Sequence, residues 1–293
     1  MRVLSGRSAA ARVQQIAARS SQLADVEPQV QRIIEDVRRN RDRALRKYAE
    51  RWDGLATSES LKISRRKIQA AWREAPREFR KALTEAASNI RRFCQWQKPR
   101  EWRRNTAGRT LGQLVRPLES VGSYVPGGRY PLVSTLLMTV IPAQVAGVRN
   151  IRVVSPQPKP EMLAAAGMLG VEQFYRIGGA QAIAALAYGT ESVPRVDKIV
   201  GPGNVYVTAA KKLVAFDCAI DFLAGPTEVL IVAEEGNPEF IAADLVAQAE
   251  HDPAALAVFV TTSKKLAESV LAVGKRIARN NAIAKQSLAD QGV

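Results

Sequence analysis

The sequence predicts a mixed α/β protein: mostly parallel, doubly wound (Rossmann-like) sheets with an N-terminal helical segment. Three observations lead there. Strand and helix signals alternate from about residue 108 to the end. Glycine-bearing loops fall at the ends of several of those strands. The first hundred or so residues instead carry apolar stripes at helical spacing in an arginine-rich background. The expected organisation is an N-terminal Arg-rich helical segment, 1–107, followed by a Rossmann-like α/β region, 108–293, made of two βαβ units at roughly 108–218 and 219–293.

The stretch 28–52 places Val30, Ile33, Ile34, Val37, Leu45 and Tyr48 near one stripe, with arginines elsewhere, as a helix lying on a core does. A second helical stretch, 64–97, opens on Ser64 as a suitable N-cap and is interrupted at Pro76. Its stripe holds Ile68, Trp72, Phe79, Leu83, Ala86, Ile90, Phe93 and Cys94, and the four tryptophans, Trp52, Trp72, Trp96 and Trp102, read as packing residues. After Gly108 the pattern changes. Strands are expected at 112–118 and 121–125, then a Gly/Pro loop at 126–131, then an apolar helix at 134–148 begun by Ser134 or Thr135. Strands 150–154, 173–177, 198–200, 228–233 and 256–261 alternate with helices 160–169, 180–188, 205–214, 238–251 and 265–280. In sheets of this kind ligands bind beyond the carboxyl ends of the strands.

Composition bounds the rest. With 46% hydrophobic and 24% charged residues the chain can bury a substantial core, and no run of about 18 apolar residues suggests a membrane span. The first residues lack the apolar core of a secretory signal; being Arg- and Ser-containing and free of acids, they leave a transit peptide open until Asp25 and Glu27. Cys94 and Cys218 lie far apart and form no CxxC pair, which points to a reducing, cytoplasmic setting with each thiol a small buried hydrophobe. The net charge of +15 is entirely local: residues 1–109 hold 27 of the 43 Lys+Arg and 12 of the 28 Asp+Glu, and the remainder is neutral. A solvated helix surface accounts for this better than a phosphate-binding face, since no nucleic-acid motif accompanies the charge. A non-catalytic basic module that binds RNA or acidic partners is the alternative, and its binding would weaken steeply with salt.

Three loops offer chemistry: Gly178-Gly179-Ala180-Gln181, Gly201-Pro202-Gly203-Asn204, with Asn204 a candidate N-cap, and Gly225-Pro226-Thr227. Glycine lets a backbone approach a ligand, and a helix N-terminus favours phosphate. None matches GxGxxG, and tight turns between short elements explain them as well. The only histidine, His251, follows Gln248 and Asp244 at helical spacing, so the three could share one face as part of a metal site. A histidine that merely caps a helix ended by Asp252-Pro253 fits the same spacing. Spacing does not separate the two.

Five long stretches change the balance: VGSYVPGGRYPLVSTLLM (121–138), GGAQAIAALAYGT (178–190), IVGPGNVYVTAAKKLV (199–214), IDFLAGPTEVLIVAEEGNP (220–238) and AADLVAQAEHDP (242–253). Together, in this order, they resemble histidinol dehydrogenase; the likeness spans nearly the whole chain and is weakest in the Arg-rich first hundred residues. The resemblance implies an NAD-dependent zinc enzyme of histidine biosynthesis that oxidises L-histidinol to L-histidine through the aldehyde, working as a homodimer. It implies Gln248 and His251 as zinc ligands that also lie beside substrate, Thr227 as a substrate contact where the family usually has serine, and Tyr124, Gln181 and Asn204 as contacts to NAD. Glu250 would point off the ligand face, and Asp244 would orient a ligand from behind.

The family continues beyond the equivalent of Val293. That portion carries a Glu-His acid/base pair and two more zinc ligands, one of them from the partner subunit. No catalytic residue is therefore assigned in this chain, and these 293 residues alone are expected neither to complete the reaction nor to hold zinc tightly. A fragment, or a shortened non-catalytic paralogue, would explain this. Because Gly128-Arg129-Tyr130-Pro131 also occurs in sister dehydrogenases, a relative oxidising another alcohol is the alternative within the class.

Overall fold

A computed structural model describes residues 3–17, 23–127, 132–223, 228–250, 255–290 and 292. The chain divides into two compact units, residues 22–223 and residues 1–21 with 224–293. The elements run α1 (Gly6–Ala17), α2 (Leu23–Trp52), β1 (Lys62–Ile63), α3 (Arg65–Glu74), α4 (Arg77–Gln97), β2 (Trp102–Thr106), β3 (Arg109–Gln113), β4 (Ser120–Tyr124), α5 (Val133–Ala146), β5 (Asn150–Val154), α6 (Pro160–Met168), β6 (Gln173–Tyr175), α7 (Gly179–Tyr188), β7 (Lys198–Val200), α8 (Val205–Val214) and β8 (Ala219–Ile220). They continue with β9 (Glu228–Val232), α9 (Pro238–Ala249), β10 (Leu256–Val260), α10 (Lys264–Ile277) and α11 (Ala282–Asp290). The fold is mixed α/β with a mostly parallel sheet.

The larger unit is built on a six-stranded sheet of order β1-β6-β5-β4-β7-β8, parallel throughout except for β1 against β6. From β4 the chain steps outward to β5 and β6, then returns to the other side of β4 for β7 and β8. The order reverses between β4 and β7, and the crevice beyond the carboxyl ends of strands at such a point is where open α/β sheets take ligands. Two cores flank the sheet. In one, Ile183 and Leu186 of α7 and Val207 and Val214 of α8 pack under Ile33, Val37 and Leu45 of α2. In the other, Leu136 and Ile141 of α5 and Leu163 and Ala166 of α6 pack under Ile68 of α3 and Leu83 of α4. Burying α7 on nearly every side explains why its sequence is apolar all round.

Several sequence expectations are corrected here. The helix read at 28–52 is broken at Arg41 (φ 49°, ψ −131°). The break lets Arg41 donate from Nη1 to the Gly189 carbonyl at 2.6 Å, while Asp42 accepts the Ser192 N–H at 3.2 Å. Of the strand expected at 112–118 only the first two residues are strand: they end β3, which pairs with β2 as an antiparallel hairpin whose strand residues are all exposed, while 114–118 form no regular element. The apolar helix starts at Val133, with no side chain capping it. Ser64 does cap α3, accepting the Lys67 N–H at 3.3 Å. Not all the aromatics are core: Trp96 is 74% exposed, and Phe93 and Trp102 are also exposed. Phe93 and Trp96, near the end of α4, meet edge to face with ring centroids 6.5 Å apart, and Trp102 opens the hairpin.

Some of the arginine excess serves the fold. Arg46 reaches the Glu59 carbonyl at 2.9 Å, Arg91 pairs with Gln144 at 2.9 Å, and Arg176 pairs with Glu59 at 2.7 Å. Cys94 is half-buried rather than core, whereas Cys218 is buried, and both are free thiols. Burial pushes the Cys218 thiol up to about 11. At neutral pH a thiol reagent is expected to modify Cys94 first and to leave Cys218 until the chain unfolds. Equal labelling rates in the folded protein would contradict this.

In the smaller unit β9 and β10 pair in parallel, joined by α9. Asn237 caps α9 by accepting the Glu239 N–H at 2.9 Å, and Ser263 caps α10 by accepting the Leu266 N–H at 3.2 Å. Leu245, Ala249, Ala257, Val270 and Leu288 form its core. No helix among the described residues is long and apolar enough to cross a membrane.

Candidate functional site

A cleft of about 570 Å³ opens where the strand order reverses, within the size range of small-molecule and cofactor sites. Tyr124 from the end of β4, Gln181 from the first turn of α7 and Asn204 before α8 all line it. Pro126 and Gly127 follow β4, Pro156 and Gln157 follow β5, and the N-termini of α7 and α8 both face this space, an arrangement that favours phosphate.

Two of the three sequence-picked side chains are buried supports rather than free arms. Tyr124 is 3% exposed, and its hydroxyl accepts the Gly179 N–H at 3.1 Å. Burial, with a smaller contribution from Asp53, pushes this phenol up to about 12, so it stays protonated. Gln181 is 1% exposed and donates from Nε2 to Asp53 Oδ2 at 3.2 Å. Asn204 caps α8, its Oδ1 accepting the Val207 N–H at 3.1 Å. The glycines of these loops are largely explained by packing. A side chain on Gly127 or Gly178 would strike the ring of Pro156, and one on Gly203 would strike Val207.

Asp53 is the residue that sequence reasoning missed. It follows the last residue of α2, lines the cleft, and its Oδ2 accepts both the Gly178 N–H at 2.9 Å and the Gln181 amide. Trp52 beside it also lines the cleft and stacks on Tyr48, ring centroids 4.8 Å apart. The only local signal was the Trp-Asp-Gly sequence ending an amphipathic helix. Burial raises the Asp53 carboxyl above its ordinary 3.8, against the lowering effect of the Gly178 and Gln181 hydrogen bonds. The folded chain thus holds this proton more tightly than the unfolded one. The stability this contributes is complete below 3.8 and is lost as pH rises through the folded value. Asp53→Asn is expected to remove that loss, so the variant should gain thermal midpoint relative to the parent as pH rises from about 4 towards neutrality. A difference that does not change with pH would show that the burial effect is absent.

Of the residues assigned to substrate and metal, Thr227 and His251 lie outside the described residues. Gln248 is half-buried on the last turn of α9, and Asp244 is exposed one turn earlier. The helix ends at Ala249 with Glu250 as C-cap, so it stops short of the expected 251. The Glu250 carboxylate accepts from Asn281 at 3.1 Å, a structural engagement. Among the described residues no group of three or more His, Cys, Asp or Glu is placed to hold a metal. Gln248 and His251 together offer two donors where zinc takes three or four, so this donor set by itself does not make a zinc site.

The histidinol dehydrogenase family model matches residues 16–293. The chain belongs to the histidinol dehydrogenase family. It is 51% identical over 253 residues to histidinol dehydrogenase of Methanothermobacter thermautotrophicus, covering 84% of this chain and 59% of that protein. It is 46% identical over 295 aligned positions to the Methanosarcina mazei histidinol dehydrogenase, covering 97% of this chain and 68% of that one. The crystal structure of histidinol dehydrogenase from Elizabethkingia anophelis superposes with a TM-score of 0.83 at 37% identity, over 92% of this chain and 64% of that chain. The chain thus spans about 60% of the length of curated histidinol dehydrogenases such as those of Methanothermobacter thermautotrophicus and Methanococcus maripaludis.

Proposed function

We propose that this chain supplies the NAD-binding part of a histidinol dehydrogenase, in which the whole protein oxidises L-histidinol to L-histidine through the aldehyde with NAD and zinc. The observation that carries the reading is the convergence of Tyr124, Gln181 and Asn204 on one cleft beyond the carboxyl ends of the parallel strands. The strand order and the helices on both faces support a doubly wound, Rossmann-like reading of this unit. The family match supports the substrate. It supports homodimer formation more weakly, and the two free cysteines are in keeping with a cytoplasmic setting.

NAD, when bound, accepts the hydride. The chain's residues bind and orient it: Asn204 and the N-termini of α7 and α8 offer amides to its phosphates, while Tyr124 and Gln181, held by Gly179 and Asp53, fix the shape of the wall. Gln248, His251 and Thr227 are proposed to meet zinc and substrate in the smaller unit. The described residues account for the cofactor half of the chemistry only.

Titration of the purified chain with NAD, followed by calorimetry, tests this. Saturable binding that weakens in Asn204→Ala is expected. Absence of saturation at millimolar NAD would overturn the reading. In the whole protein, strong NAD reduction with another alcohol and none with histidinol would remove the specific substrate.

A further inference from the structure

Lys211 is the most deeply buried charge among the described residues of the larger unit, 1% exposed in the last turn of α8. Its ammonium is paired with Asp221, at the end of β8, and donates to the Gly201 carbonyl at 3.0 Å. Asp221 in turn accepts the Gly201 N–H through Oδ2 at 2.8 Å and the Phe222 N–H through Oδ1 at 2.7 Å. One residue, Gly201, is therefore held by its amide and by its carbonyl, each by one member of an ion pair whose lysine is buried and whose aspartate is partly so. Gly201 is the first residue of the loop that ends in Asn204, so the same pair ties the loop, the helix it precedes and the end of β8 together.

Burying a lysine is a poor way to gain stability, because two apolar side chains of similar volume would fill the space as well or better. What apolar side chains could not do is fix the direction of a peptide group. We propose that Lys211 and Asp221 are positioning residues for the cofactor: they set the Gly201 peptide, and through it Asn204 and the N-terminus of α8, at the wall of the cleft. The assignment rests on reading that cleft as the NAD site. Neither side chain is among those lining the cleft, so both act through the loop.

The test uses the full chain with two variants, Lys211→Met and the neutral pair Lys211→Met/Asp221→Asn. Three quantities are read: thermal midpoint, NAD affinity, and deuterium uptake of residues 201–207 without NAD, with α3 and α6 as internal controls. The double variant is expected to recover a midpoint near the parent's, yet to bind NAD about tenfold or more weakly and to exchange faster at 201–207 alone. If Lys211→Met fails to fold, the double variant carries the result. Parent-like NAD affinity in the double variant would overturn this assignment and leave the cofactor site standing. No NAD binding by the unaltered chain would overturn the cofactor reading and this assignment with it. Faster exchange spread evenly over the controls would mark the pair as merely structural and also overturn it.

Discussion

Gly201→Ala is expected to lower the stability of the larger unit by about 3 kcal/mol, combining left-handed backbone strain with an overpacked contact. Gly201 has φ +112°, a conformation L side chains rarely adopt. A Cβ built there lands 2.1 Å from the Tyr124 carbonyl oxygen and 3.1 Å from its carbon, so it meets backbone of the central strand rather than a side chain that could swing away. Either β4 or the loop must shift. A shift of β4 moves the Tyr124 hydroxyl away from the Gly179 N–H; a shift of the loop moves Asn204. NAD affinity should therefore fall along with stability. The matched control is Gly170→Ala, at φ +69° with nothing within 4 Å of the built Cβ, which incurs the backbone strain alone. Denaturant unfolding of both variants separates the two costs if the slope is unchanged. A Gly201→Ala midpoint no lower than that of Gly170→Ala would mean the loop has room that this geometry denies it.

How much of this was legible in the sequence depends on how far away the cause of each feature lies. The strands and helices from β4 to β7 were readable because each is a largely apolar run followed within a few residues by Gly, Pro or Asn, and α8 because Asn204 opens it. The Ser64 and Asn204 caps were readable for the same reason: donor and acceptor are three residues apart. β1 was not, because two residues carry no periodicity and become a strand only through the pairing of Ile63 with Phe174. The break at Arg41 was hidden as well, since the carbonyls and hydroxyl that draw it out belong to residues 188–192. The hairpin of β2 and β3 misled the strand reading because none of its residues is buried, so no in–out alternation marks it. Its turn is instead set by Ala107 and Gly108, both at positive φ.

The site divides in the same way. The glycine loops pointed to the strand ends, but the choice of Tyr124, Gln181 and Asn204 came from the resemblance of whole stretches, not from spacing. Asp53 was out of reach of either argument, for its partners Gly178 and Gln181 lie more than 120 residues on. Once folded, the two carboxylates, Asp53 buried and Asp221 partly so, play matching parts. Asp53 holds the loop after β6 by the Gly178 amide, and Asp221 holds the loop after β7 by the Gly201 amide. The difference is that Asp53 has no cation against it among the described residues and is pushed towards its protonated form, whereas Asp221 has Lys211.

That difference makes Asp221→Ala the second large effect. The variant leaves the Lys211 ammonium, with a side chain 2% exposed, with the Gly201 carbonyl and the face of the Phe222 ring 5.6 Å away but no counter-charge, and it strips the Gly201 N–H of its acceptor. Removing one partner of a buried pair typically costs about 3–5 kcal/mol, because the charge left behind is uncompensated. The loss belongs to the orphaned lysine rather than to the missing carboxylate, so neutralising the lysine should cancel most of it. Lys211→Met/Asp221→Asn is accordingly expected to be more stable than Asp221→Ala by at least about 2 kcal/mol, with an asparagine oxygen still able to accept from Gly201. Equilibrium unfolding of the parent, the two single variants Lys211→Met and Asp221→Asn, and the double closes a thermodynamic cycle on the pair. Losses that simply add would mean that the two charges do not depend on one another, and that the ion pair is not what holds the loop.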